Sequence, residues 1–461
     1  MKKILVFIML ISLFSCENWL DVNPKSRVKE DDLFANESGF QTALFGIYTS
    51  MAASSLYGEE LTMSFMDVLA QYYNMPSSVH VYFTASSYDY TSAVMESKVN
   101  TIWQGMYRII MNCNNLLENL EGKAGLFAEG HYALIKGEVL GVRAYLHFDL
   151  LRLFAPSFTA GKDQPAIPYV DKVVRTPFPQ LTSQQVVGRI LQDCKEAMDC
   201  LRAYDPMGPR NISDENDRFL QYRPERMNYY AVQALTARVN LWAGNSGEAE
   251  TISGDLMKAR TAVNEILFQL YSDKVMKYSD DFFNTNLENS RKLAVTQKVR
   301  EQIYEVSRYK SFDRRITSWV ELEPGSIEGE EGQEMTGSYL VTKYMKGSAY
   351  QNNLPLIRMT EVYYISAECK ADEQEGLNLL NKVRQSYGIL ETTDLKAETS
   401  VFEDELFKEY RKSFLAEGQL FYFMKRRDFK EIPNIILVED ARKVYTLPMP
   451  QGELEFGNMI K

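Results

Sequence analysis

The chain has 461 residues, of which 45% are hydrophobic and 12% aromatic, so it is able to bury a large core and is not intrinsically disordered. Its net charge of -11 at pH 7 and isoelectric point of about 5.1 repel phosphate backbones, which argues against a nucleic-acid partner. Five cysteines and three histidines, none of them spaced as metal ligands, argue against a disulfide framework and zinc chemistry, so no metal or cofactor is predicted.

The N-terminus has the pattern of a bacterial export signal. Two lysines precede an apolar run at residues 4–14, which is shorter than the roughly 20 residues of a transmembrane helix but suits a secretory signal. The run ends in LFSC, close to a lipobox, where cleavage leaves a cysteine that carries acyl chains. Residues 1–15 are therefore predicted as signal peptide, Cys16 as the lipidation site and residues 16–36 as a tether. The alternative is an ordinary signal peptide followed by a structural cysteine.

Helical periodicity dominates from residue 38 onward. Apolar residues recur at helical spacing over residues 38–53, 100–120 and 136–154, with an irregular region rich in Tyr, Ser and Thr at 57–90 and an extended segment at 166–170. The 136–154 segment carries two apolar stripes, which predicts a helix buried between layers. Gly137 and Gly141 would allow a neighbouring helix to approach it closely.

Two later segments predict antiparallel helix pairs of the tetratricopeptide kind. In the first pair, RMNYYAVQALTARVNLW forms one helix and a second helix is predicted through Ala259, Val263 and Leu267. MTEVYYISAEC and LNLLNKVRQSYG form the second pair. Between the pairs, residues 272–350 are richer in β-branched and aromatic residues, which predicts short strands and loops, with a mobile glutamate-rich loop at 321–334. The last long helix is predicted over residues 402–424.

Segments spread along the whole chain resemble the SusD/RagB family of outer-membrane nutrient-binding lipoproteins. The resemblance is carried, in order, by Cys16 followed by WLDVNP, by WQGMYRIIMNCNNLL, by KGEVLGVRAYLHFDLLRLF with AIPYV, and by VVGRILQDCKEAMDCL, LPLIRMTEVYYISAEC, LNLLNKVRQSYG, EYRKSFLAEGQLFYFMKRRDF and YTLPMP. The chain departs from the family at LAEG, residues 415–418, and at Phe423 and Met424, positions that look structural.

The resemblance implies a mainly α fold, a tetratricopeptide-like helical-hairpin scaffold with irregular loops and a few short β-strands. It implies a SusD-like domain over residues 37–461, made of an N-terminal helical part (37–270) with the loop region 57–90, an insertion of loops and short strands (271–350), and a C-terminal helical part (351–461). It also implies a lipid-anchored protein on the surface of a Gram-negative outer membrane, which binds oligosaccharide and delivers it to a SusC-like TonB-dependent barrel. The alternatives are peptide cargo, or a helical scaffold that binds only protein partners.

Ligand-binding residues are predicted in the two loop regions. An aromatic ring stacks on the apolar C–H face of a pyranose while amide, carboxylate and guanidinium groups satisfy its hydroxyls, and such sites are made from loops on a rigid frame. Core packing is the competing explanation for the aromatic residues, and salt bridging for Arg315. The candidates are Asp67, Tyr72, Tyr73, Asn74 and Tyr82 in the first region and Arg315 and Trp319 in the second.

No catalytic residue is predicted, because the sequence contains no GxSxG, Walker, HExxH or Cys/His arrangement. Glu361 and Glu368 are the pair most like glycosidase carboxylates, but structural ion pairs with the arginines at 358, 384 or 411 explain them better. The acidic segment 213–218 lacks the spacing of an EF-hand loop, so a solvated turn is expected there instead of a divalent-ion site.

Overall fold

A computed structural model describes residues 30–75, 78–210, 214–309, 312–329, 336–433 and 440–460. The predicted signal peptide and Cys16 lie outside the described residues. The α-helices, in chain order, are α1 Glu30–Leu33, α2 Glu37–Met51, α3 Phe65–Leu69, α4 Phe83–Ser86, α5 Ala93–Leu120, α6 His131–Phe154, α7 Phe158–Gly161, α8 Ser183–Leu201, α9 Tyr229–Trp242, α10 Ser246–Ala259, α11 Val275–Phe283, α12 Gln297–Tyr304, α13 Val306–Tyr309, α14 Arg314–Ser318, α15 Met359–Glu368, α16 Glu373–Ser386, α17 Phe402–Ser413, α18 Leu420–Arg426 and α19 Gln451–Phe456.

The strands of the described chain are short and form small antiparallel sheets. Strand β1 pairs with β2, β3 pairs with β7, and β4 and β5 flank β6. The predicted class, mainly α with a few short strands, is confirmed. The strands are β1 Pro165–Pro168, β2 Gln180–Thr182, β3 Ile266–Tyr271, β4 Val295–Thr296, β5 Val320–Leu322, β6 Ser338–Val341 and β7 Asn353–Arg358.

Helix α6 is buried along both of its apolar stripes, as its sequence predicts. It packs against α8 and against α5. A methyl group added at Gly137 would lie 2.7 Å from a side-chain carbon of Leu201 in α8, and one added at Gly141 would lie 2.6 Å from a side-chain carbon of Met227. Both distances are far inside van der Waals contact, so these two glycines are what allows the neighbouring segments to approach α6 this closely.

The two predicted helix pairs are present, and they lie side by side. Helices α9 and α10 form one antiparallel pair, α15 and α16 form the other, and α10 packs against α15. The tetratricopeptide-like scaffold is therefore confirmed. The prediction that the second helix continues through Leu267 is wrong, because α10 ends at Ala259 and Leu267 lies in β3, where the backbone is paired with β7.

The predicted 402–424 helix is wrong in one respect, because it is broken in the middle. Helix α17 ends at Ser413, α18 begins at Leu420, and Ala416 and Gly418 between them have positive φ angles of 60° and 69°. Their N–H groups donate to the carboxylate of Asp67 at 2.5 and 3.1 Å. A side chain from the first loop region therefore fixes a backbone shape that helical residues do not adopt.

The region 272–350 contains more helix than its composition predicts. Strands β4, β5 and β6 agree with the expectation of short strands, but α11 to α14 also lie there. Most of these helices are only one or two turns long, which explains why no clear helical period is visible in the sequence. The glutamate-rich segment is not entirely a loop either, since Glu321 and Leu322 belong to β5 and Glu323 pairs with Lys292 at 2.6 Å.

Buried apolar side chains form a continuous cluster from Phe34 to Leu447. Residues from both predicted helical parts and from the 271–350 insertion contribute to this cluster, so the loops rest on the same core as the helices. Among the described residues, no helix combines the length and the apolar character needed to cross a membrane.

Candidate ligand-binding cleft

The three predicted tyrosines of the first loop region are buried, and their hydroxyl groups bond inside the protein. Tyr72 and Tyr73 donate to main-chain carbonyl oxygens at 2.7 and 2.9 Å, and Tyr82 donates to the Ser64 hydroxyl at 3.0 Å. Burial raises the pKa of each phenol well above its ordinary value of 10. These rings belong to the core, so direct ligand contact by them does not agree with their positions.

Asp67 and Trp319 are brought together by the structure, but below the surface. Asp67 is fully buried, and burial raises its pKa well above the ordinary value. The indole ring of Trp319 is 6% exposed and lies 4.0 Å from the Lys343 ammonium. Lys343 in turn pairs with Glu417, which stands between the two residues whose N–H groups Asp67 accepts. Both candidates thus belong to one internal polar cluster that joins the two loop regions.

Arg315 is also internal. Its guanidinium is 1% exposed and pairs with Asp313 at 2.8 Å and with Glu409 at 2.9 Å. The salt-bridging interpretation of Arg315 is therefore confirmed, and a role in touching ligand does not agree with its burial.

Asn74 differs from the other six candidates because its side chain is exposed. Its backbone N–H donates to the Ala294 carbonyl oxygen at 3.1 Å, which lays the first loop region alongside the second. Ligand contact by Asn74 stays a prediction.

A cleft lined by the kinds of side chain expected in a sugar-binding site lies where the first loop region ends. It has a volume of about 670 Å³ and runs along the first three turns of α5. Glu96, Asn100 and Gln104 line it and are exposed. They are four residues apart, so they form a ladder on one face of the helix. We call this the polar cleft, and its other lining residues include Tyr90, Thr91, Met449, Pro450, Gln451 and Leu454.

Hydrogen bonds inside the polar cleft hold its walls and leave groups free for a ligand. The Tyr90 hydroxyl donates to the Val444 carbonyl oxygen at 2.6 Å, which ties the loop end to the segment that leads into the opposite wall. The Gln104 amide donates to the Asn100 side-chain oxygen at 3.1 Å. Within the described chain Glu96 has no ion-pair partner and the Asn100 amide nitrogen has no acceptor, so a carboxylate and an amide are available to hydroxyl groups.

The ladder was readable from the sequence, but the cleft was not. Helical spacing alone places Glu96, Asn100 and Gln104 on one face of α5. The predicted start of that helix at residue 100 obscured them, because the helix begins at Ala93 with the Ser92 hydroxyl as its N-cap. The opposite wall comes from residues 448–454, which no local pattern connects to α5.

The two carboxylates with superficial resemblance to a glycosidase pair are both held in ion pairs. Glu361 accepts two hydrogen bonds from Arg238, and Glu368 pairs with Arg426 at 2.6 Å and with Arg427 at 2.8 Å. Burial raises the pKa of Glu368, but the two arginines outweigh burial and leave it below its ordinary value. The structural interpretation is confirmed, with different arginines as partners than the sequence suggested.

The acidic segment near residue 214 is a turn. Asp214 accepts the N–H of Asn216 at 2.9 Å, and Asp217 accepts the N–H of Phe219 at 2.9 Å. Asp217 also pairs with the Nε2 atom of His131 at 2.7 Å. In the part of the chain that the structure describes, no group of three or more His, Cys, Asp or Glu residues is arranged to hold a metal ion.

Comparison with known proteins identifies the family. Residues 18–241 match a family model described as SusD-like, starch-binding and associating with the outer membrane, and residues 318–434 match the model of the SusD family. The chain belongs to the SusD/RagB family. SusD-like protein P25 of Formosa agariphila is 28% identical over 166 residues, which is 34% of this chain and 31% of that protein. The match thus spans about a third of that relative's length.

Solved structures of the SusD superfamily share the fold. A SusD superfamily protein from Bacteroides thetaiotaomicron superposes with a TM-score of 0.72 at 21% identity, covering 92% of this chain and 99% of the other. A SusD-like carbohydrate binding protein from Bacteroides vulgatus superposes with a TM-score of 0.70 at 16% identity, covering 92% and 97%. At these identities the likeness concerns the fold.

Proposed function

We propose that this protein is a non-catalytic lipoprotein of the outer-membrane surface, which binds oligosaccharide in the polar cleft and delivers it to a SusC-like TonB-dependent barrel. The observation that carries the proposal is the ladder of Glu96, Asn100 and Gln104 facing an open cavity of about 670 Å³. The family description as starch-binding and outer-membrane-associated supports it. The residue proposed to carry the lipid anchor is Cys16.

The polar cleft suits a sugar because it offers both kinds of contact that a pyranose needs. Carboxylate and amide groups bond to adjacent hydroxyls, and the Tyr90, Met449 and Leu454 side chains supply apolar surface to the C–H faces. The cleft is formed by helix α5 and by the segment after Val444, which the Tyr90 hydrogen bond ties to the loop end, so little ordering is required on binding. No group in the cleft needs to exchange a proton for this task.

Removing the ladder amides is expected to weaken sugar binding. The double change Asn100→Ala and Gln104→Ala deletes two hydrogen-bonding groups worth roughly 0.5–1.5 kcal/mol each, so the dissociation constant should rise about 5- to 150-fold. The measurement is calorimetry of purified protein against a panel of neutral and acidic oligosaccharides and of short peptides. Gln184→Ala, on the exposed N-terminal turn of α8, is the matched control and should bind like the unaltered protein.

The same panel separates the proposal from its alternatives. If the protein binds peptides and no sugar, the alternative of peptide cargo is supported and the polar cleft becomes a candidate peptide site. Binding of neither class, while the protein still associates with a co-expressed SusC-like barrel, would favour the scaffold role. Release of cleaved products from any bound sugar would overturn the non-catalytic part.

The proposed lipid anchor at Cys16 is tested separately. Cells fed a fatty-acid analogue should incorporate the label into the processed protein. Cys16→Ser should abolish the label and release the protein from the membrane fraction, because a single modified residue supplies the acyl chains. Residual labelling of the Cys16→Ser chain would remove Cys16 from the proposal.

A further inference from the structure

A second cleft lies on the other side of α19, and its lining includes the aromatic residues Trp103, Tyr107, Phe178 and Phe456. Its volume is about 330 Å³. We call it the aromatic cleft, and the lining residues that matter here are Trp103, Tyr107, Arg175, Phe178, Glu453 and Phe456. Trp103 directly precedes the last ladder residue, Gln104, and Tyr107 follows it by three residues, so α5 supplies a wall to both clefts.

The aromatic cleft combines apolar rings with charged groups that have no ion partner. The Tyr107 hydroxyl donates to the Pro168 carbonyl oxygen at 2.8 Å, which fixes that ring. Phe456 is 79% exposed. Within the described residues neither Arg175 nor Glu453 takes part in an ion pair, although both line the cleft. Trp103 is 2% exposed and packs against Tyr107 from below, so the ring surface open to a ligand comes from Tyr107, Phe178 and Phe456. These rings suit the apolar face of a sugar ring, and the guanidinium and carboxylate suit its hydroxyl edge.

The two clefts meet at one residue of α19. Gly452, at the start of α19, lines both of them. A methyl group built on Gly452 would meet no atom within 4 Å, and its φ angle is an ordinary one. The surface over residue 452, called the passage below, is therefore open and carries no side chain between the two clefts.

We propose that the aromatic cleft is a second sugar subsite on the same ligand path, which makes the ligand an oligosaccharide long enough to cross α19 over Gly452. This inference rests on the proposed function. One end of the oligosaccharide lies on the ladder of the polar cleft. Its other end stacks in the aromatic cleft, where its hydroxyls bond to Arg175 and Glu453. A disaccharide fills only one cleft, and longer chains fill both.

The test is the dependence of affinity on ligand length. The probes are the di- to hexasaccharides of α-1,4-glucan, β-1,4-glucan, β-1,4-xylan and α-1,4-galacturonan, measured by calorimetry with the full chain. For the series that binds, affinity should rise at least about tenfold from di- to hexasaccharide. The longer ligand adds a sugar ring in the aromatic cleft, with the hydrogen bonds that this ring makes there. Gly452→Leu, which fills the passage, should remove this gain, and so should the double change Arg175→Ala and Phe456→Ala.

Controls keep the outcomes distinguishable. Gly247→Leu, at an exposed helical glycine with no atom within 4 Å of the added carbon, should leave the length dependence unchanged. Failure of every probe to bind the unaltered protein would overturn the proposed function and this inference with it. If a saccharide series binds, and its affinity depends on ligand length in the same way in the unaltered protein and in Gly452→Leu, the second subsite alone is overturned. Circular dichroism of each variant establishes that it is folded.

Discussion

Glu417→Gln is expected to lower the free energy of unfolding by about 3–5 kcal/mol, because it leaves two buried cations without a countercharge. The carboxylate of Glu417 is 3% exposed and pairs with Lys343 and with Arg358, the latter at 2.9 Å. Among the described residues neither cation has another carboxylate within ion-pair distance. Burial lowers the pKa of Lys343 to about 8 even with Glu417 present, so this ammonium is already poorly solvated.

Urea unfolding at pH 7 measures this loss. Glu403→Gln is the matched control, since Glu403 pairs with Arg427 at the surface, where the carboxylate is 56% exposed and the pair contributes roughly 0–1 kcal/mol. If the two variants unfold at urea midpoints that differ by less than the error, the buried cluster does not depend on Glu417. The members of the cluster connect both loop regions to the helical frame.

Long periodic helices were the most predictable part of the fold. The 136–154 segment has two apolar stripes, and only a helix buried on both sides satisfies them, so α6 and its close neighbours follow from the sequence. The break between α17 and α18 does not follow, because residues 402–424 keep an amphipathic pattern throughout. It depends on Asp67, which lies about 350 residues away and accepts N–H groups that a continuous helix would use internally.

The residues of the candidate site were harder to predict, because core packing and sugar recognition use the same residue types. A cluster of tyrosines near residue 72 has the composition of a sugar site, and the structure uses these rings to fill the core beneath the loops. The contact between Trp319 and Lys343 could not be predicted from the sequence, because no local pattern connects the two residues. In contrast, the polar ladder of α5 is exposed and regular, and only its opposite wall depends on tertiary structure.

Under the proposed function, the internal residues Asp67, Arg315 and Trp319 would act on ligand binding only indirectly, through the frame. Their charges and rings join the first loop region, the 271–350 insertion and the break after α17 into one buried cluster. A rigid cluster of this kind holds the loop surface in one shape before ligand arrives, which reduces the entropy lost on binding. The clefts along α5 are then presented by a frame that does not have to reorganise.

Acid is expected to destabilise the same cluster through Glu409. Burial raises the pKa of this carboxyl, but Arg315 and Lys412 outweigh burial and hold the pKa at about 2, below the ordinary value of 4.5. A lowered pKa means that the folded protein favours the ionised form. The stabilisation, about 3 kcal/mol for a shift of this size, is therefore complete above pH 4.5 and is lost as the pH falls from 4.5 towards 2.

Comparison with Glu409→Gln isolates this contribution, because glutamine has the shape of the side chain without its proton equilibrium. The unaltered protein should exceed the variant in free energy of unfolding by about 3 kcal/mol at pH 7, and the difference should shrink between pH 4.5 and pH 3. Glu196→Gln, on the exposed face of α8, should differ little from the unaltered protein at any of these values. A difference for Glu409→Gln that stays constant over the whole range would show that the Glu409 charge does not stabilise the fold. In that case its contacts with Arg315 would act by shape alone, and the pairing that fixes the 271–350 insertion to α17 would be insensitive to acid.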